Sequence, residues 1–244
     1  MNVSAPVDAT VARLSLRSLL GTRRGTLLFI LPLILLAVAG LVRALAGTDL
    51  SVTAELQSAL GFGTVVPLVA LIAGTGILAP EMDDGSIVYL LAKPLSRHRI
   101  VISKVVVAVS VTLALTAVPM AVSSLLLAGP DGRLAAAYVL GCVVGAAGYC
   151  CIFVMPSVLT KHSVVWGLVY WLIWEGLLGS VLSGVRWLSI GHWCDSIASW
   201  ASDGDALSGD VGVAYVVVAT VLVLCLAVVI AGERLRGFNL TGDD

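Results

Sequence analysis

Apolar residues run in blocks along this chain, parted by short polar stretches, and six blocks are long enough to cross a bilayer. They cover approximately 26–46, 61–79, 104–128, 134–155, 164–182 and 211–231. A helix needs about 20 mostly apolar residues to traverse the hydrocarbon core, and blocks of this length predict helices. The pattern predicts an all-α polytopic membrane protein, with six spans over 26–231 between short segments at 1–25 and 232–244. Pro32, Pro67 and Pro119 fall inside spans. Lipid tolerates them where neighbouring groups satisfy the carbonyls that proline leaves free.

Two stretches outside the blocks also carry a pattern. Over residues 8–20, Val11, Leu14, Leu16, Leu19 and Leu20 interleave with Arg13 and Arg17. This suggests an amphipathic helix lying on the membrane surface before span 1, its bases toward anionic lipid; a frayed basic leader is the other reading. In the loop 183–210, Trp187, Leu188, Ile190, Trp193, Ile197 and Trp200 recur at roughly helical spacing. Tryptophan favours the membrane interface, so short helices resting on or dipping into the outer leaflet are expected between spans 5 and 6.

Charge sets the orientation. Eleven Lys and Arg fall on the side that carries both termini, against three (Arg43, Arg133, Arg186) on the other. Basic loops stay in the cytoplasm, so a cell-membrane protein with both termini cytoplasmic is expected.

Composition agrees and narrows the function classes. The chain is 59% hydrophobic and 12% charged, with mean hydropathy +1.06, whereas a soluble domain is about 45–50% apolar and about 25% charged. The spans leave no stretch of the roughly 50 residues a soluble catalytic domain needs. A net charge of −1 gives no hint of a nucleic-acid partner. Of five cysteines, all but Cys194 lie in apolar runs; without a second pair at ligand spacing, neither a metal site nor a disulfide framework is expected. Ala44-Leu45-Ala46 before Gly47 imitates a signal-peptide cleavage site, but the apolar run is too long and Arg43 sits beside it. A retained first span is expected. No H-E-x-x-H or G-x-S-x-G occurs, and His98, His162 and His192 all fall in loops, which speaks against an intramembrane enzyme.

Inside the spans, two features invite function. Gly141, Gly145 and Gly148 in span 4 have the spacing that lets helix backbones approach closely, within or between subunits. Glu175 is the one acid well inside a span. It either lines a pathway, as intramembrane carboxylates often do, or sits near the outer interface and hydrogen-bonds to the loop helices.

The densest charge in the chain lies at 80–100, PEMDDGSIVYLLAKPLSRHRI. Pro80 suits the first position of a helix. Glu81, Asp83 and Asp84 then meet its positive end, and Lys93 and Arg97 its negative end. Ile87, Val88, Leu90 and Leu91 supply an apolar face that needs cover, and Pro94 ends the helix.

The residues Glu81, Gly85, Ser86, Ile87, Tyr89, Leu90, Leu91, Ala92, Pro94, Leu95, Ser96 and Arg97 resemble the segment after span 2 in ABC-2 type permeases, the membrane subunits of ATP-driven transporters that are mostly exporters. The six-span layout, the amphipathic N-terminal helix and the outer helices are similar too. The resemblance implies a coupling helix that docks on a separate ATPase, through Glu81, Asp84, Gly85, Ile87, Leu90, Leu91, Pro94 and Arg97. It also implies two permease subunits with two ATPases, and no cofactor in this chain. The lack of a G-x-x-x-x-G-K-[ST] phosphate loop is consistent with ATP hydrolysis in another chain. An ion- or proton-coupled secondary transporter using Glu175 is the alternative, although no repeat of broken helices is evident.

Overall fold

The computed structural model describes residues 23–83, 97–179, 183–202, 209 and 211–237, together with Arg13, Leu16 and Leu19. No strand occurs among them. The chain runs through α1 (Arg23–Ala46), then α2 (Leu50–Leu56), which continues through a π-helical segment (Gln57–Val65) into α3 (Val66–Asp83). Next come α4 (Arg97–Ala128) and α5 (Gly132–Leu159). Helix α6 (Ser163–Tyr170) extends as a second π-helical segment (Trp171–Leu178). A 3-10 turn (Ser183–Leu188), α7 (Ile190–Ala201) and α8 (Val213–Gly237) complete the fold.

Five passes are long and apolar enough to cross a membrane, and the sixth, Ser163–Leu178, is a shorter apolar helix. Span 2 starts at Leu50 rather than near residue 61, because its early polar residues are used up locally. Asp49 caps it, accepting from the Ser51 N–H at 2.8 Å and the Ser51 hydroxyl at 2.7 Å. Those bonds hold the Asp49 carboxyl below its ordinary range. Gln57, fully buried, donates from Nε2 to the Met120 carbonyl at 2.9 Å and to Ser123 Oγ at 3.0 Å on α4. A stretch that reads as a loop thereby becomes helix.

Helix α5 stands at the centre, packed on α3, α4, α7 and α8. Gly141, Gly145 and Gly148 of α5 face elements of this same chain. A Cβ on Gly141 would collide with Phe62 Cζ, one on Gly145 would lie 2.9 Å from both Cys194 Sγ and Val66 Cγ1, and one on Gly148 would lie 3.1 Å from Ile190 Cδ1. Small residues thus let α7 and span 2 press onto span 4. Helices α1 and α8 are peripheral and turn large apolar side chains such as Leu33 and Leu222 outward, as lipid-facing helices do.

Close contacts bring Leu19 onto span 2 and the end of α8 onto the start of α4, on one face of the bundle. Leu19 is buried and would touch a Cβ placed on Gly76, and the His98 ring lies against Gly232. His98 Nε2 is also 3.9 Å from Glu233 Oε1. This is called the terminal face below, and its opposite the far face.

Enlarging the central contact should loosen the bundle. Gly145→Val is expected to lower stability by about 1–3 kcal/mol, the usual range for overpacking, seen as a lower melting temperature in detergent. Gly132→Ala, where an added Cβ meets nothing within 4 Å, should leave that temperature unchanged.

Candidate functional site

The sequence points to two places, one on each face. On the terminal face, Asp84, Gly85, Ile87, Leu90, Leu91 and Pro94 lie outside the described residues. Glu81 is in the last turn of α3 and Arg97 is the first residue of α4, so the segment joins the ends of two neighbouring spans. A third residue anchors its base. Lys104, fully buried, donates from Nζ to the Ile77 carbonyl at 2.9 Å, tying α4 to α3 about one turn beyond each end of the segment. Sequence reading placed Lys104 among the loop bases. The signal for burial was the apolar residues on either side of Ser103 and Lys104, Ile100-Val101-Ile102 before and Val105-Val106-Val107 after.

On the far face, the loop after span 5 turns back into the bundle. Ile190, the first residue of α7, touches Gly148, and Cys194, one turn later, touches Gly145 and Gly141. Gly148 is 16 residues past the start of the 28-residue α5, about 24 Å along its axis. The helix is about 42 Å long, against a core of about 30 Å. Even if all the excess projected from the far face, Ile190 would lie about 12 Å inside the core. Helix α7 is therefore re-entrant: it begins deep and climbs outward along span 4. Its buried face is Ile190, Trp193, Cys194, Ile197 and Ala198, whereas Trp187, Leu188 and Trp200 stay exposed. The Trp-rich stripe seen in sequence thus divides between a docked helix and its rim.

A helix that starts inside a bundle brings backbone N–H groups without helical partners. Glu175 meets them. Its Oε1 accepts from the Ile190 N–H at 2.9 Å and its Oε2 from Ser189 Oγ at 2.5 Å. Ser189 is also the N-cap of α7, accepting from the His192 N–H at 3.4 Å. A negative group at the helix N-terminus is favoured by the macrodipole. Beside it, Trp174 Nε1 donates to the Leu188 carbonyl at 3.4 Å. Tyr149, Phe153, Tyr170 and Trp174 pack in sequence across spans 4 and 5, with ring centroids 6.0–6.3 Å apart.

Trp171 makes the next link. Its Nε1 donates to the Gly63 carbonyl at 2.8 Å. In a regular helix that carbonyl would bond the N–H of residue 67, but residue 67 is proline and has none. Span 5 therefore satisfies a group that Pro67 releases in span 2, and the surrounding turn relaxes into π-helix, as near-proline backbone in membranes often does.

This face has no evident chemistry of bond making. Among the described residues no group of three or more His, Cys, Asp or Glu could hold a metal. All five cysteines are unpaired, and burial pushes the Cys194 thiol well above its ordinary value, which keeps it protonated and inert. What the arrangement can do is hold a short helix between spans 2, 4 and 5.

Two substitutions measure those holds. Glu175→Ala should lower the melting temperature more than Glu175→Gln, because glutamine keeps one acceptor for the Ile190 N–H. Trp171→Phe leaves the Gly63 carbonyl unsatisfied and should cost about 1–3 kcal/mol. In a Pro67→Ala background, where residue 67 has an N–H, the same change should cost less.

The membrane passes agree with the comparison to known proteins. No curated protein matches the chain. A family model described as ABC-2 family transporter protein matches residues 10–233. The match takes in every span, the charged segment and the re-entrant helix, and the chain belongs to the ABC-2 transporter family.

Proposed function

We propose that this chain is the permease subunit of an ATP-driven exporter, coupled to a separate ATPase through the segment 80–100. The family match over residues 10–233 carries the reading. In this reading the terminal face is cytoplasmic, which accords with the excess of Lys and Arg on that side. Six passes make half of a translocation pathway, so two permease subunits act with two ATPases. The stretch 8–20, of which only Arg13, Leu16 and Leu19 are among the described residues, belongs in this reading at the cytoplasmic leaflet.

The mechanism follows from stiffness. Closure of the ATPase pair must reach the spans through something that does not bend. The segment 80–100 starts in the last turn of α3 and ends in the first turn of α4, and Lys104 pins those two helices together at Ile77. A push on the segment then moves spans 2 and 3 as one body, in the manner of rigid-body rocking of packed helices. Glu81, Asp84, Gly85, Ile87, Leu90, Leu91, Pro94 and Arg97 form the ATPase contact. On the far face, span 2 touches α7 directly, since Val66 and Phe62 share the glycine surface of span 4 with Cys194. Motion entering at the cytoplasmic end of span 2 thus arrives at the re-entrant helix. Glu175 serves as the anchor of that helix.

Purification from the native membrane should yield the chain together with an ATPase. Leu90→Asp or Glu81→Ala should abolish that association while membrane insertion persists. Absence of any ATPase from the wild-type preparation would contradict the reading.

A further inference from the structure

Asp195 lies on α7, next to the fully buried Cys194. Ser58, in the π-helical segment of span 2, donates its hydroxyl proton to Asp195 Oδ2 at 2.8 Å. The other oxygen, Oδ1, is buried with no hydrogen-bond partner, and so is the hydroxyl of Tyr138 on α5. Tyr138 is fully buried, and close enough to interact electrostatically with Asp195. A carboxylate that keeps one oxygen dry and unpaired is costly. A neutral carboxyl has an O–H to donate, and a phenol oxygen can accept it.

We propose that Asp195 is a proton-binding site, and that the proton it takes from the far face fastens the re-entrant helix α7 to spans 2 and 4. The balance is simple: one proton from bulk water joins the half-buried carboxylate, and its charge disappears. Ionisation returns the charge beside the unpartnered Oδ1 and Tyr138 hydroxyl and loosens the same seam.

The direction with pH follows from the surroundings. Burial pushes the Asp195 carboxyl up from 3.8 to about 6; the Ser58 hydrogen bond and the nearby His192 pull it down, and Glu175 raises it. That rise makes the docked carboxyl roughly 100-fold harder to ionise than a free one. Because the docked value exceeds the free value, the added firmness is complete below about 3.8 and is lost as pH rises through about 6. The groups facing Asp195 are Ser58 from span 2, Tyr138 from span 4, Glu175 from span 5, and His192 and Cys194 on α7 itself. Span 6 faces α7 through Tyr215, whose ring packs on Trp193 with centroids 6.4 Å apart, and Arg186 lies in the 3-10 turn before α7.

The tryptophans provide a readout that needs no substrate, nucleotide or partner, so it stands apart from the transport reading. All six, Trp166, Trp171, Trp174, Trp187, Trp193 and Trp200, lie in span 5 and the re-entrant region. The full chain in lipid nanodiscs should show one change in intrinsic fluorescence with a midpoint near pH 6, about where Asp195 titrates. Asp195→Asn should remove it. Ser58→Ala should keep it and move the midpoint upward, because the bond that favours ionisation is gone. His192→Gln should also keep it, again with a higher midpoint. No transition in the wild type, a transition that survives Asp195→Asn, or a midpoint that Ser58→Ala leaves in place would overturn the proposal.

Discussion

The far face depends on how the start of α7 satisfies its backbone. In hydrocarbon every N–H and C=O must find a partner inside the protein, and a helix that begins about 12 Å within the core has the hardest case of this problem. Glu175 solves it by accepting from the Ile190 N–H and the Ser189 hydroxyl. Once that end is fixed, the rest of α7 follows the glycine surface of span 4, where Gly141, Gly145 and Gly148 leave room for Cys194 and Ile190. The acid most exposed to suspicion in the sequence thus holds the start of α7 with its two carboxyl oxygens.

The same rule accounts for span 2. Pro67 removes an N–H, the local helix shifts to π geometry, and Trp171 arrives from span 5 to bond the Gly63 carbonyl. Gln57 and Ser58, in the same π segment, reach in other directions, to α4 and to α7. Span 2 is therefore attached by side-chain hydrogen bonds to spans 3 and 5 and to the re-entrant helix, while its other end runs into the charged segment. For a membrane subunit of this family, those attachments place one rigid element between the two faces.

Much of this was legible in the residues. Six apolar blocks gave the passes, and span 1 begins and ends within three residues of its expected limits. The spacing of Gly141, Gly145 and Gly148 signalled close packing, although only the fold could reveal that the neighbours are Phe62, Val66, Cys194 and Ile190 of the same chain. Trp187 to Trp200 showed helical spacing, but periodicity cannot say which surface buries it, and a docked helix and an interfacial one carry the same stripe. Residues 50–60 looked like loop because Asp49, Ser51, Thr53, Gln57 and Ser58 are polar; each is consumed by a cap or a cross-helix bond that sequence does not encode locally. Lys104 counted as a loop base because charge is ordinarily solvated, and a carbonyl at Ile77 was the unforeseen partner. The residues 84–96, which carry most of the expected ATPase contact, lie outside the described structure.

The claim that organises the account is that α7 starts inside the membrane. Leu188, exposed and one residue before the N-cap Ser189, is the place to test it, with a spin label introduced there in the lipid-embedded chain. Collision with oxygen and with a water-soluble nickel complex reports depth. A helix start inside the membrane gives high oxygen and low nickel accessibility, the signature of hydrocarbon. High nickel accessibility, equal to that of a label on the exposed Thr48 in the far-face loop, would place the start of the helix in water and contradict it.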